Sequence, residues 1–229
     1  MNGEKSHALD GYEADWFVVP ARSFGAPGDE AGVSLFLVPR TATGLSVRGT
    51  RAMDHRRNAA VSLNNVLVDE GALIGRLGDG FGLLRQAVDA AIVARLAEAL
   101  GVMDATFEQT LAYVKTRKQF GQSIGGFQAL QHRMVDMAIA CEEARSMTYL
   151  ATLSLHEPPQ ERRRPIAAAK TRVGQTSLYV ARQAVQLHGG MGFSDELAIG
   201  HYLKRLTMID MAFGDAAHHR AVYAAARAA

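Results

Sequence analysis

The chain has one cysteine, one tryptophan and no long apolar run, and its charges nearly cancel. A single cysteine, Cys141, excludes an intrachain disulfide framework and fits a reducing compartment. The first residues, MNGEKSHALDG, lack the apolar segment of a secretory signal. No uninterrupted apolar stretch approaches the roughly 18 residues that a membrane-spanning helix needs. The expectation is a soluble, cytoplasmic protein with no membrane span. Lys and Arg number 25 against 23 Asp and Glu, a net charge of +2. So small an imbalance exerts no strong pull on nucleic acid.

What is present is ordinary for a globular protein: 229 residues, 48% apolar and 21% charged. That is enough for one large domain or two small ones. The sequence has two textures. From residue 14 to about 68, short runs such as ADWFVVPAR, VSLFLVPR and AAVSLNNVLV alternate with Gly, Pro and Asp. They predict four or five antiparallel strands, and a further strand-like segment stands almost at Met1. From about residue 79 the pattern is helical. Leu84, Val88, Ala91, Leu96, Phe107, Leu111 and Val114 make a stripe about ten turns long. Further helices are expected over 127–155, 165–188 and 195–212, and a short one from about Ala216. Four long helices with short connections predict an antiparallel bundle. HEPPQERRRP reads as the loop between the second and third helices, with Arg162, Arg163 and Arg164 solvated and no aromatic residue interleaved for nucleic acid.

Two stretches stand out. RKQFGQSIGGFQALQHR ends one helix in a glycine-containing turn and starts another; QLHGGMGFSDEL runs a helix into Gly-Gly-x-Gly, with Ser194 placed to cap the next. Glycine-rich turns let a ligand approach the backbone, and their amides with a nearby Arg suit a pyrophosphate. Each stretch alone reads equally well as a helix cap and turn.

Together these stretches closely resemble the acyl-CoA dehydrogenase family. The match rests on Arg117-Lys118-Gln119-Phe120-Gly121, Ile124, Phe127-Gln128 and Gln131-His132, then Gln186-Leu187-His188-Gly189-Gly190-Met191-Gly192-Phe193. Upstream, GVSLFLVPR, GLSV and NNVLVDEGALIG resemble that family's middle β-domain. The resemblance implies an α+β fold: a partial antiparallel β-domain over 1–72, then an up-down-up-down four-helix bundle over 73–229 for FAD binding and oligomerisation. It implies that the family's N-terminal helical domain is absent, as in a fragment or in a chain whose missing part lies on another polypeptide. It also implies FAD as cofactor, an acyl-CoA thioester as substrate, and a homo- or hetero-oligomer, dimer or tetramer. An electron-transferring flavoprotein is the implied acceptor.

In the family a Glu takes the α-proton and the flavin takes the β-hydride. That Glu falls at Phe213 here, so Phe213-Gly214-Asp215 replaces Glu-Gly-Thr. The alternative position for a base, on the first long helix, falls near Ala91. The Thr that meets the flavin ring falls at Leu9. Arg117, Phe120, Gln128, Gln186, Leu187, His188, Gly189 and Gly190 match positions that serve the adenosine-pyrophosphate half of FAD held by a neighbouring subunit. The implied protein is a truncated or catalytically degenerate subunit that helps to hold FAD; the alternative is a non-catalytic oligomerising bundle. Asp215 is a weaker candidate base, two residues late for proton transfer. His218 and His219 read as helix-surface residues and not metal ligands, since neighbours on a helix point about 100° apart. Cys141 reads as a packing residue, with no activating base nearby in sequence.

Overall fold

A computed structural model describes residues 1–226. The chain divides into two compact units, Met1–Val88 and Asp89–Ala229.

The first unit holds two three-stranded antiparallel sheets. One contains β1 (Gly3–Ala8), β5 (Arg57–Leu63) and β4 (Leu45–Arg51), in that order. The other contains β2 (Trp16–Arg22), β3 (Val33–Pro39) and the two-residue β6 (Leu73–Ile74). Alternation decides which side chains turn inward. Phe17 and Val19 are buried while Trp16 and Val18 are exposed; Ala59, Val61 and Leu63 line the same core with Val38 and Val66. The run AAVSLNNVLV is not one strand. It is cut after Leu63, where Asn65 takes a left-handed φ of 53°.

Helix α1 (Gly80–Thr116) begins in the first unit and continues into the second. Its 37 residues reach about 55 Å at 1.5 Å per residue. A hairpin of β7 (Lys118–Gln119) and β8 (Gln122–Ser123) leads to α2 (Gln128–Ser154), α3 (Pro159–His188), α4 (Ala198–Met211) and α5 (Ala216–Ala225). Paired contacts set the helix directions. The Ile124 amide before α2 meets the Arg117 carbonyl at the end of α1 while Arg145 on α2 binds Asp104 on α1 at 2.9 Å; Arg133 on α2 and Arg172 on α3 reach Gln183 and Glu143 across the next pair; and Gln109 and Glu98 on α1 bind Tyr202 and Arg205 on α4 at 3.2 and 2.6 Å. The four long helices therefore alternate in direction, as expected. α3 packs against α2, α4 and α5 and buries residues on most of its circumference.

Three local expectations differ. The buried stripe of α1 is Asp89, Ile92, Leu96, Ala99, Met103, Thr106, Thr110 and Val114, so only Leu96 and Val114 of the expected set are buried. Thr106 and Thr110 satisfy their hydroxyls on carbonyls four residues back, at 2.6 and 2.7 Å, and pack as apolar residues. α3 starts at Pro159, so Pro165 lies inside a helix and not at its start. Proline there removes one backbone donor and crowds the preceding turn. In the same turn Arg162, expected in solvent, is buried and pairs with Asp89 of α1 at 2.9 Å. Ser194 does not cap α4, which starts at Ala198 after Leu197; its hydroxyl accepts the Glu196 amide at 3.2 Å.

Removing one partner of a buried ion pair strands the other charge. Asp89→Ala should lower the stability of the helical unit by about 3–5 kcal/mol. The double variant Asp89→Leu with Arg162→Met should recover most of that loss. Urea unfolding followed by helical circular dichroism measures both.

Candidate functional site

The two glycine-containing junctions lie at the same end of the bundle. Tyr113, one turn before Arg117, stacks on His188 at a centroid distance of 4.2 Å, and its hydroxyl donates to the His188 carbonyl at 3.5 Å. His188 is buried, and its Nδ1 bonds the Ala184 carbonyl at 2.8 Å. Tyr113 was not singled out from the sequence. Its place four residues before Arg117, on the same helix face, is the signal that could have found it.

At the first junction Phe120 and Gly121 both have positive φ, 53° and 83°, between the two-residue strands β7 and β8. Such a turn favours Asn or Gly at its first position, yet a phenylalanine stands there. Its ring is 90% exposed and meets the edge of Phe127 at 6.1 Å. Arg117 and Gln128 are exposed on either side of the turn. Gly125 is fixed by packing, since a Cβ would lie 2.9 Å from the Val114 carbonyl.

At the second junction Gly189 ends α3 with φ 60° and ψ −137°, which only glycine adopts easily, and donates to the Gln186 carbonyl. Gly192 packs against Val185, where a Cβ would meet the carbonyl at 2.7 Å. A Cβ on Gly190 would meet nothing within 4 Å, and its φ is not positive. Gln186, Gly189 and Gly190 are exposed, whereas Leu187 and His188 are buried and present only backbone to the outside.

The loop after α4 holds Phe213 and Gly214 in left-handed conformations, φ 59° and 94°. The Phe213 carbonyl is bound by His219 Nε2 at 2.9 Å. His219 is therefore buried and not a surface residue; His218 is exposed. A Cβ on Gly214 would strike the His218 ring at 2.4 Å. Asp215 is the N-cap of α5 and accepts the His218 amide at 2.8 Å. That bond holds its carboxyl below the usual carboxylate range, which weakens it as a base. Leu9 follows the irregular end of β1, where pairing with β5 shifts between Lys5 and Ala8 and His7 has φ 56°. Ala91 is half-buried on α1.

Beneath the loop, Lys170 is 1% exposed and donates to the Ile209 and Asp210 carbonyls at 3.0 and 2.6 Å. These are C-terminal carbonyls of α4, which a cation satisfies well. Asp210 Oδ1 lies 4.0 Å from the ammonium. Burial outweighs the attraction in both groups: it pushes Lys170 down to about 8 and Asp210 up. Elsewhere, Cys141 is buried and its thiol is pushed up to about 12, which leaves it to packing. No helix among the described residues is long and apolar enough to cross a membrane.

A family model described as "Acyl-CoA dehydrogenase, C-terminal domain" matches residues 78–227. The chain belongs to the acyl-CoA dehydrogenase family. A short-chain specific acyl-CoA dehydrogenase of Clostridium acetobutylicum is 30% identical over 89% of this chain and 54% of its own length. A solved structure described as an electron transferring flavoprotein of Acidaminococcus fermentans is 29% identical, with a TM-score of 0.91 over 99% of this chain and 60% of that one. The ChsE4-ChsE5 complex from Mycobacterium tuberculosis is 25% identical, with a TM-score of 0.86 over 99% and 59%. This acyl-CoA dehydrogenase chain thus spans a little over half the length of the relatives it matches.

Lys170 gives the site a pH signature. Its folded pKa, about 8, lies below the ordinary 10.5, so between these values the unfolded chain binds a proton that the folded chain has released. Stability should therefore rise with pH across that window, and the penalty should be complete below pH 8. Lys170→Met should flatten the rise, by on the order of 1–3 kcal/mol. Urea midpoints of both proteins at pH 7.5 and 10 check this.

Proposed function

We propose that this chain is a subunit of an FAD-dependent acyl-CoA dehydrogenase that helps to hold FAD at a subunit interface without supplying the catalytic base. The observation that carries the proposal is a contrast between two places in the helical unit, the end of α3 and the loop that packs beside Gly174 at its middle. At the end of α3, Tyr113 stacks on His188, which supports a shared site for Arg117, Phe120 and Gln128 with Gln186, Gly189 and Gly190. At the loop after α4, the residue aligned with the family's base is Phe213, and Asp215 is tied into a helix cap.

The donor set suits the adenosine-pyrophosphate half of FAD. Arg117 offers a guanidinium fork to phosphate oxygens. The open space at Gly190 admits close approach to backbone, and the exposed Phe120 ring offers an apolar face to a base. Leu187 and His188 would contribute through backbone alone, with the His188 ring shaping the junction from inside. FAD, when bound, supplies the acceptor for the substrate hydride. A phenylalanine cannot take the accompanying α-proton, so that proton would go to a base on a partner chain. The acyl-CoA thioester would be processed there, with an electron-transferring flavoprotein as acceptor.

Assembly is part of the proposal. Val135, Ile139, Leu150 and Leu153 are exposed on α2 at helical spacing, with Tyr149 beside them. A face of this kind favours a second subunit and assigns oligomerisation to the helical unit. It equally serves a second reading, a bundle that assembles without FAD.

Flavin fluorescence titration separates the two. The chain should take up FAD when mixed with the full-length acyl-CoA dehydrogenase subunit encoded nearest to it, and little or none alone. Arg117→Gln should weaken uptake by the mixture about 10- to 100-fold, the worth of a charge-assisted hydrogen bond. Tight uptake by the chain alone would overturn the helper role. No uptake in either case would leave the flavin-free bundle.

A further inference from the structure

The ladder between β4 and β5 places Leu45 opposite Leu63, Val47 opposite Val61, Gly49 opposite Ala59 and Arg51 opposite Arg57. Side chains alternate along a strand, so these four pairs share one face of the sheet. The first three pairs line or border the apolar core of the first unit. The fourth continues the same face with two guanidinium groups side by side. Directly opposed like charges destabilise a ladder. The ladder itself gives no reason for two arginines to face each other here.

Tyr12 walls the space beside them. Its ring lies over Gly49, where a Cβ would come within 2.6 Å of a ring carbon. Arg40 and Arg57 place their guanidinium carbons 5.6 and 5.5 Å from the ring centroid. Arg40 is tied back by the carbonyls of Tyr12 and Ala14. The result is a cleft of about 400 Å³ lined by Tyr12, Gly49, Thr50, Arg51 and Arg57.

Its charge is unbalanced. Arg56 pairs with Asp10 at 3.0 Å, and Arg57 Nη1 with Glu13 at 3.1 Å. Arg51 has no carboxylate among the described residues, and Arg57 keeps its other nitrogens for a second acceptor. We propose that this cleft is an oxyanion site that takes the phosphate of a small phosphorylated molecule, held between the guanidinium groups of Arg51 and Arg57. Paired planar forks match the non-bridging oxygens of phosphate or diphosphate, and the anion removes the repulsion between them. The volume exceeds a phosphate, so the remainder of the ligand extends along Tyr12 and the strand backbone at Gly49 and Thr50. None of these residues belongs to the set proposed for FAD, and the site stands whether or not this chain binds FAD.

Calorimetric titration of the whole chain with inorganic pyrophosphate at low salt tests it. Binding should fall at least tenfold in Arg51→Gln, at an exposed residue with no ion pair among the described residues, and in Arg57→Gln. It should be unchanged in Arg117→Gln, which reports on the FAD-side junction. Loss in Arg117→Gln alone, absence of binding, or equal competition by chloride at matched ionic strength would overturn the proposal. Titration with ADP then separates the sources. Equal affinity means that the phosphate alone is recognised, and tighter binding that the cleft also holds the nucleoside; either supports the site.

Discussion

Two cations buried in one helix fix the lengthwise position of the bundle. Arg162 ties α3 to Asp89 near the start of the second unit, and Lys170, two turns on, ties it to the last carbonyls of α4. Apolar contacts tolerate sliding by a fraction of a turn. A hydrogen-bonded charge in a dry interior does not, because each ångström of slip leaves a charge without its partner. The stack of Tyr113 on His188 at the far end of α3, and the loop held by His219, both inherit the alignment that these two cations set.

This division of labour separates backbone shape from chemistry in the loop after α4. Phe213 sits left-handed, a conformation that strains a bulky side chain. Its carbonyl is clamped by a buried histidine, and Gly214 fits only because it lacks a Cβ. The loop thus keeps a specified geometry although the side chain it presents has no proton to exchange. A loop of this kind is held by its backbone and its neighbours, whatever side chain stands at its tip.

The sequence showed the two textures, the helix order and both glycine junctions because each is a local signal. Turns need glycine where φ is positive, and helices repeat apolar residues every three or four positions. It hid what depends on partners distant in the chain. Thr106 and Thr110 read as polar but satisfy themselves inside α1. Arg162 lies in a run of three arginines that looks solvated, and only Asp89, 73 residues away, makes its burial possible. Pro165 reads as a helix start because proline usually is one, yet α3 already begins at Pro159. His219 looks like its exposed neighbour until the loop it clamps is in view.

Phe120 carries a different kind of information. Asn or Gly at that turn would relieve backbone strain, and a polar residue would remove an exposed aromatic ring. Redesign guided by thermal stability or solubility would therefore replace Phe120 among its first choices, and would do so without disturbing the bundle. The gain in robustness would erase the most prominent apolar feature of that corner. A residue that a stability screen rejects and a natural chain retains marks where selection has acted on something other than folding.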